Sequence, residues 1–351
     1  MKTIMPSPDA SLPEPVHDVF NDDWRAWIGQ NLALGASPGG LLPTLVANNF
    51  HPGEAQREID KANRSPYLQA ARHLASRVAK RDWTLEVQHK TREMRARGNG
   101  IIERRHKLDR ATFLNDYYSA NRPVVISGMM DDWPALGWTD EQLARAFAGR
   151  AVEVQVNRNA NPHYEAQADR HVTRMAFDAF MARVQEQGES NDIYMTAKNG
   201  GANASALHEL WDGIVQIPEY LDGTNPANRG FFWIGPPGTI TPTHHDLTNN
   251  FMAQITGRKR VHLVDGLQVA NLYNHLHVYS EVDLENVDYD RFPRMRNVDI
   301  LCHDLAPGEL LFIPVGWWHR VRALDFSMTV TFTNFLFDND FCSTYGTYQA
   351  V

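Results

Sequence analysis

TPTHHDLTNNFMAQITGRKRVHLV (241–264) and GELLFIPVGWWHRVRAL (308–324) are the two stretches that decide the fold. In the first, 239–245, 250–255 and 259–264 read as short strands parted by Asn and Gly-containing turns. In the second, 309–313 is an apolar strand. Working outward, 231–234 and 328–335 add two more strands, and 123–128 and 152–156 lie further upstream, the latter two separated by a Trp-rich turn and a helix around 139–148. Many short strands at even spacing indicate a barrel or sandwich.

His244 and Asp246 are two residues apart on one strand, so an imidazole and a carboxylate project from the same face. The adjacent His245 points to the opposite face, which makes His244 the better ligand. A third ligand must come from elsewhere, and His319 ends the strongly apolar run that begins at Glu309. Two imidazoles and one carboxylate on one side of a metal leave positions open, the arrangement of non-haem Fe(II) oxygenases. Taken alone, an H-x-D pair arises often by chance, and a histidine after an apolar strand is more often a satisfied core residue.

The same two stretches resemble the JmjC/cupin-like 2-oxoglutarate oxygenases of the cupin-8 type, and within them the asparaginyl-hydroxylase-like branch. They carry the H-x-D pair, the G-x-K turn and the P-x-G-W-W-H histidine in order, and FLNDYYSANRPVVISGMMDDWPALGW (113–138) extends the likeness upstream. The resemblance covers about 105–340. It implies a double-stranded β-helix (jelly-roll) barrel, Fe(II) on His244, Asp246 and His319, and 2-oxoglutarate and O2 as co-reactants. It further implies that Lys259 anchors the far carboxylate of 2-oxoglutarate, with Thr241 and Tyr194 as neutral donors and Asn250 and Asn334 as amides lining that site. For Asn334 there is a separate argument: Met328, Val330, Phe332 and Asn334 share one face of a strand, and an amide on an apolar face wants a polar guest. The expected reaction is hydroxylation of an amino-acid side chain in a protein or peptide, with release of succinate and CO2. A natural-product tailoring oxygenase, an N-methyl demethylase and a catalytically silent cupin used as a binding module are the alternatives.

Ahead of the barrel the texture is helical. Residues 1–20 are rich in Pro, Ser and Asp, as a disordered tail is, and 21–97 form a helical module. Asp22-Asp23 opens one helix; Ser37-Pro38 and Ser65-Pro66 each pair an N-cap with a proline at the first helical position. Arg97-Gly98-Asn99-Gly100 breaks the pattern, so the oxygenase domain is taken as 98–351. The apolar stripes of the module exceed what a short bundle can bury, so packing on the barrel or a homodimer is expected.

The 351 residues are 43% apolar, enough for a full core, and carry a formal charge of -8. That charge argues against a nucleic-acid partner for the whole chain, although 12 Lys/Arg against 5 Asp/Glu fall between Arg72 and Arg110. No apolar run approaches a membrane span, and the two cysteines, Cys302 and Cys342, make no disulfide framework. A cytoplasmic setting follows as the expectation.

Overall fold

A computed structural model describes residues 20–95, 101–224 and 230–346. The expected tail, apart from Phe20, and the break at Arg97–Gly100 lie outside these residues. The chain divides into two compact units, residues 1–90 and 91–351.

The first unit is helical: α1 (Asp22–Ala33), α2 (Pro38–Ala47), α3 (Pro52–Asn63) and most of α4 (Pro66–Arg95). Its helices start where side-chain acceptors meet orphan amides. Asn21 Oδ1 accepts from Trp24 N at 2.9 Å, and Ser37 Oγ accepts from Gly40 N at 3.2 Å. The sequence reading has no α3, because its cap is His51, whose Nδ1 accepts from Gly53 N at 3.2 Å; histidine is not a usual N-cap signal. Trp27, Ile28, Leu32, Leu41, Leu45 and Ile59 form the core of this unit.

The second unit is built on strands. They are β1 (Glu103–His106), β2 (Val124–Ser127), β3 (Ala151–Val156), β4 (Val172–Ala176) and β5 (Ile193–Tyr194). There follow β6 (Phe231–Gly235), β7 (Ile240–His245), β8 (Asn250–Thr256), β9 (Lys259–Val264), β10 (Asn274–Leu276) and β11 (Tyr279–Ser280). The last are β12 (Leu301–Leu305), β13 (Glu309–Ile313), β14 (Trp318–Ala323) and β15 (Ser327–Phe332). Two six-stranded sheets, β1-β2-β13-β8-β15-β6 and β10-β11-β7-β14-β9-β12, make the barrel, and β4-β3-β5 is a separate sheet. Pairing is antiparallel except for β1 with β2. This is the expected mostly-β jelly roll.

The first sheet has no solvent face at its centre. Phe251, Ala253, Leu310, Phe312, Met328 and Val330 of β8, β13 and β15 join Phe113, Tyr117 and Tyr220 in one core. Met252, Leu311 and Ile313, on the opposite face, join Val261, Leu263 and Val321 of the second sheet in another. All five residues of β13 and all six of β15 are therefore buried, which accounts for the apolar run Leu310–Ile313 of β13.

His319 does not end the strand that begins at Glu309. Pro314, which cannot donate to a ladder, and Gly316 at φ +79 turn the chain, so His319 is the second residue of a new strand, β14. Among the described residues no helix is long and apolar enough to cross a membrane.

Candidate metal centre

Register sets the site. His319 pairs with His244 and Val321 with Thr241, so two steps along β14 match three along β7. This bulge at Pro242-Thr243 shifts the parity of β7. Strict alternation would put Thr241 and His244 on opposite faces; the bulge brings both to the barrel interior, where they line one cavity of about 290 Å³ with Asp246 and His319.

Each histidine is oriented by its own backbone. His244 Nδ1 lies 2.8 Å from the Pro242 carbonyl and His319 Nδ1 lies 3.0 Å from the Trp317 carbonyl. A carbonyl only accepts, so both rings carry hydrogen at Nδ1, which leaves Nε2 as the nitrogen available to a metal. Those Nε2 atoms stand 3.8 and 3.7 Å from Asp246 Oδ1 and Oδ2, too far to hydrogen-bond. Asp246 Oδ2 accepts from Asn250 Nδ2 at 3.1 Å. Burial acts to raise the Asp246 carboxyl, but His319 and His244 outweigh it and hold the group below its usual value. Burial, with His244 beside it, pushes the His319 imidazolium down, so the ring is neutral. Two imidazole nitrogens and a carboxylate oxygen, all within 4.8 Å of one another, with the Asn250 amide on the carboxylate, fit a divalent cation. His245 turns away, its ring edge-on to Trp318 at 4.7 Å.

Lys259 reaches the same cavity from β9. It is 2% exposed, and its Nζ donates to the Tyr194 hydroxyl at 3.0 Å. Burial alone pulls its ammonium down to about 7, and among the described residues no carboxylate pairs with it. Its neighbours behave otherwise: Arg258 pairs with Asp325 at 2.8 Å and Arg260 with Asp304 at 2.7 Å. The turn that feeds β9 depends on Gly257, at φ +66, where a Cβ would collide with the Phe326 carbonyl. Asn250 also lines the cavity, and its Oδ1 is buried without a partner. A buried cation without an anion suits an anionic guest.

Asn334 is elsewhere. Its Nδ2 donates to the Asp222 carbonyl at 2.7 Å and its side chain borders a different cavity, beside Trp211 and Phe332. The reason is the double burial of β15: the Met328/Val330/Phe332 face packs into the outer core, and the other face, Thr329, Thr331 and Thr333, lines the metal cavity. The apolar face was the wrong one to read as facing a guest. The sequence reading also lacks Glu165, Lys198, Trp233 and Tyr279, which complete the cavity wall. Tyr279 had no local signal: it lies in the long excursion between β9 and β12 and pairs with His244 by a single register contact. The threonine alternation of β15 was the available signal for Thr331.

The sequence profile of the cupin-like domain family matches residues 110–342. Among similar proteins, lysine-specific demethylase 8 of Xenopus tropicalis is 32% identical over 234 residues, 63% of this chain and 49% of that protein. Lysine-specific demethylase JMJ30 of Arabidopsis thaliana is 34% identical over 238 residues, 66% of this chain and 54% of that protein. The tRNA wybutosine-synthesizing protein 5 of Gallus gallus is 29% identical over 236 residues, 64% and 73% respectively. The chain thus spans about half the length of the demethylase relatives. The match contains the whole of the barrel from β6 onward, with the three donors and Lys259 inside it, and the chain belongs to the cupin-like domain family.

Proposed function

We propose that this protein is a hydroxylase of the asparaginyl-hydroxylase-like branch, acting on an amino-acid side chain of a protein or peptide in the cytoplasm. The observation that carries the reading is the convergence of His244, Asp246 and His319 in a cavity that Lys259 also lines, with no carboxylate paired to it among the described residues. Iron bound with 2-oxoglutarate and O2 supplies a two-electron oxidation of a C–H bond, with one oxygen atom going to the product and the other to succinate as CO2 is lost.

The chain's own groups then have separate tasks. His244, Asp246 and His319 hold the metal from one side and leave the other to co-reactants. Lys259, with the Tyr194 hydroxyl, binds the far carboxylate; Thr241 adds a donor and Asn250 holds Asp246 in place while offering its Oδ1 to the cavity. Trp233 and Tyr279 wall the cavity and restrict water near the reacting carbon. No side-chain general base is needed.

The names of the relatives favour one second reading, demethylation of N-methyl-lysine, in which the hydroxylated carbon leaves as formaldehyde. The test is succinate release from 2-oxoglutarate by Fe(II)-loaded protein, then mass spectrometry of peptides. A stable +16 product supports the proposal; formaldehyde with loss of 14 supports demethylation. Absence of succinate under all conditions would leave only the silent binding module. His319→Ala is expected to lose both iron and turnover, and full activity in that variant would remove the proposed third ligand.

A further inference from the structure

Helix α4 is 30 residues long, yet among its described side chains only Leu68, in its first turn, joins the core of the helical unit. Other apolar side chains of the helix face solvent: Tyr67 is 85% exposed, Leu74 61% and Val78 52%. Ala71 and Leu85 are half-buried. Positions 67, 71, 74, 78, 81 and 85 alternate spacings of four and three, which is the a/d seam of a two-stranded coiled coil. Ala71, Val78 and Leu85 occupy a, and Tyr67, Leu74 and Arg81 occupy d.

The flanks of this seam differ in charge. Arg77, exposed, falls at g and Asp82, half-buried, at e. A uniformly acidic partner would meet Asp82 unfavourably, and a basic one would meet Arg77. A second copy satisfies both. In a parallel pair, a g residue faces the e residue five positions later on the other helix, so Arg77 meets Asp82 of the second copy, twice by symmetry. An antiparallel pair would instead set g against g and e against e, which loses this match.

We propose that α4 pairs with α4 of a second copy as a short parallel coiled coil, with the Tyr67–Ala71–Leu74–Val78–Leu85 seam at its centre and reciprocal Arg77–Asp82 contacts at its edges. The seam is about 27 Å long at 1.5 Å per residue. Arg81 at d lays its aliphatic stem along the seam and carries its guanidinium out to the rim, which keeps the association reversible. Exposed ion pairs add little affinity, so their part is to choose orientation and partner.

The test is the mass of the full-length protein in solution by light scattering and sedimentation at tens of micromolar. The expected result is twice the 39.9 kDa of one chain. Leu74→Glu with Val78→Glu should give a monomer, with helix content and melting unchanged because both side chains are exposed in the single chain. Asp82→Arg should weaken the dimer roughly tenfold, and adding Arg77→Asp should restore it by exchanging the two charges. This charge exchange remains informative even where the glutamate pair disturbs folding. A monomer at every concentration, a dimer that survives the glutamate pair, or a charge exchange that restores nothing would each overturn the proposal.

Discussion

Lys259 offers the sharpest test of the proposed cosubstrate site. It is a buried cation whose hydrogen-bond partner is a neutral phenol, and burial has drawn its pKa to about 7. A dianion entering the cavity supplies the missing charge, and a charge-assisted contact of this kind contributes about 1.5–3 kcal/mol. Since each 1.4 kcal/mol is about tenfold in affinity, Lys259→Ala should raise the half-saturating 2-oxoglutarate concentration by about one to two orders of magnitude. Arginine should rescue poorly, because its planar fork does not fit a space shaped around a point charge. Acidity supplies a second readout with a definite sign. Above pH about 7 the ligand-free protein has shed the Lys259 proton, so binding the dianion must take a proton up, and 2-oxoglutarate affinity should fall with rising pH. Lys259→Ala should lose that slope. The assay is succinate release against 2-oxoglutarate at saturating Fe(II), at several pH values, with iron content measured separately. An unchanged half-saturation in Lys259→Ala, or a pH slope that survives it, would refute the reasoning.

The same burial argument makes Lys259→Met more stable than wild type without ligand: the folded pKa lies below the ordinary 10.5, so the cost is full below pH 7 and is relieved as pH rises towards 10.5. Denaturant unfolding at pH 6 and 9 should show a stabilisation at pH 6 that shrinks at pH 9; an equal or reversed difference counts against an unpaired buried charge. Asn250→Ala removes the donor to Asp246 Oδ2 and should weaken iron retention about 10–100-fold while leaving the fold intact, measured by chelator competition; unchanged retention would show that Asp246 needs no support. Burial acts to raise the Glu309 carboxyl, but hydrogen bonds from His303, the Ala306 amide and Arg104 hold it down at about 2. Its folded pKa is below the ordinary 4.5, so its stabilisation is full above pH 4.5 and is lost as pH falls towards 2. The stability gap between wild type and Glu309→Gln should therefore close across that window, and a constant gap would disprove the assignment. Gly257→Ala forces a side chain against the Phe326 carbonyl at positive φ, and should cost about 1 kcal/mol or more; wild-type stability would show that the β8–β9 turn can move.

The parts of this protein legible in sequence are those where chemistry restricts residue type. An imidazole and a carboxylate two apart along an extended segment share a face, and His244, near the end of β7, and Asp246, just beyond it, lie close together. The resemblance singled out Lys259, and the fold buries it while its arginine neighbours face outward into ion pairs. What was not legible has two causes. One is local geometry without a residue signature: the bulge at Pro242-Thr243 changes which side chains share a face, so Thr241 reaches the cavity in spite of simple alternation. The other is hydrophobic patterning applied to a strand with no solvent side. On β15 both faces are buried, one against Phe113 and its neighbours and the other against the cavity. Apolar against polar then no longer distinguishes inside from outside; it distinguishes a packed core from a space that receives a polar guest. Thr329 and Thr331 on a fully buried strand are costly unless something accepts or donates to them. Thr329 Oγ1 already bonds Gln254 Oε1 at 2.8 Å and Thr331 Oγ1 accepts from Trp233 Nε1 at 3.1 Å. Thr329 and Thr331 are thus satisfied by protein groups, and Thr331 holds Trp233 in the cavity wall.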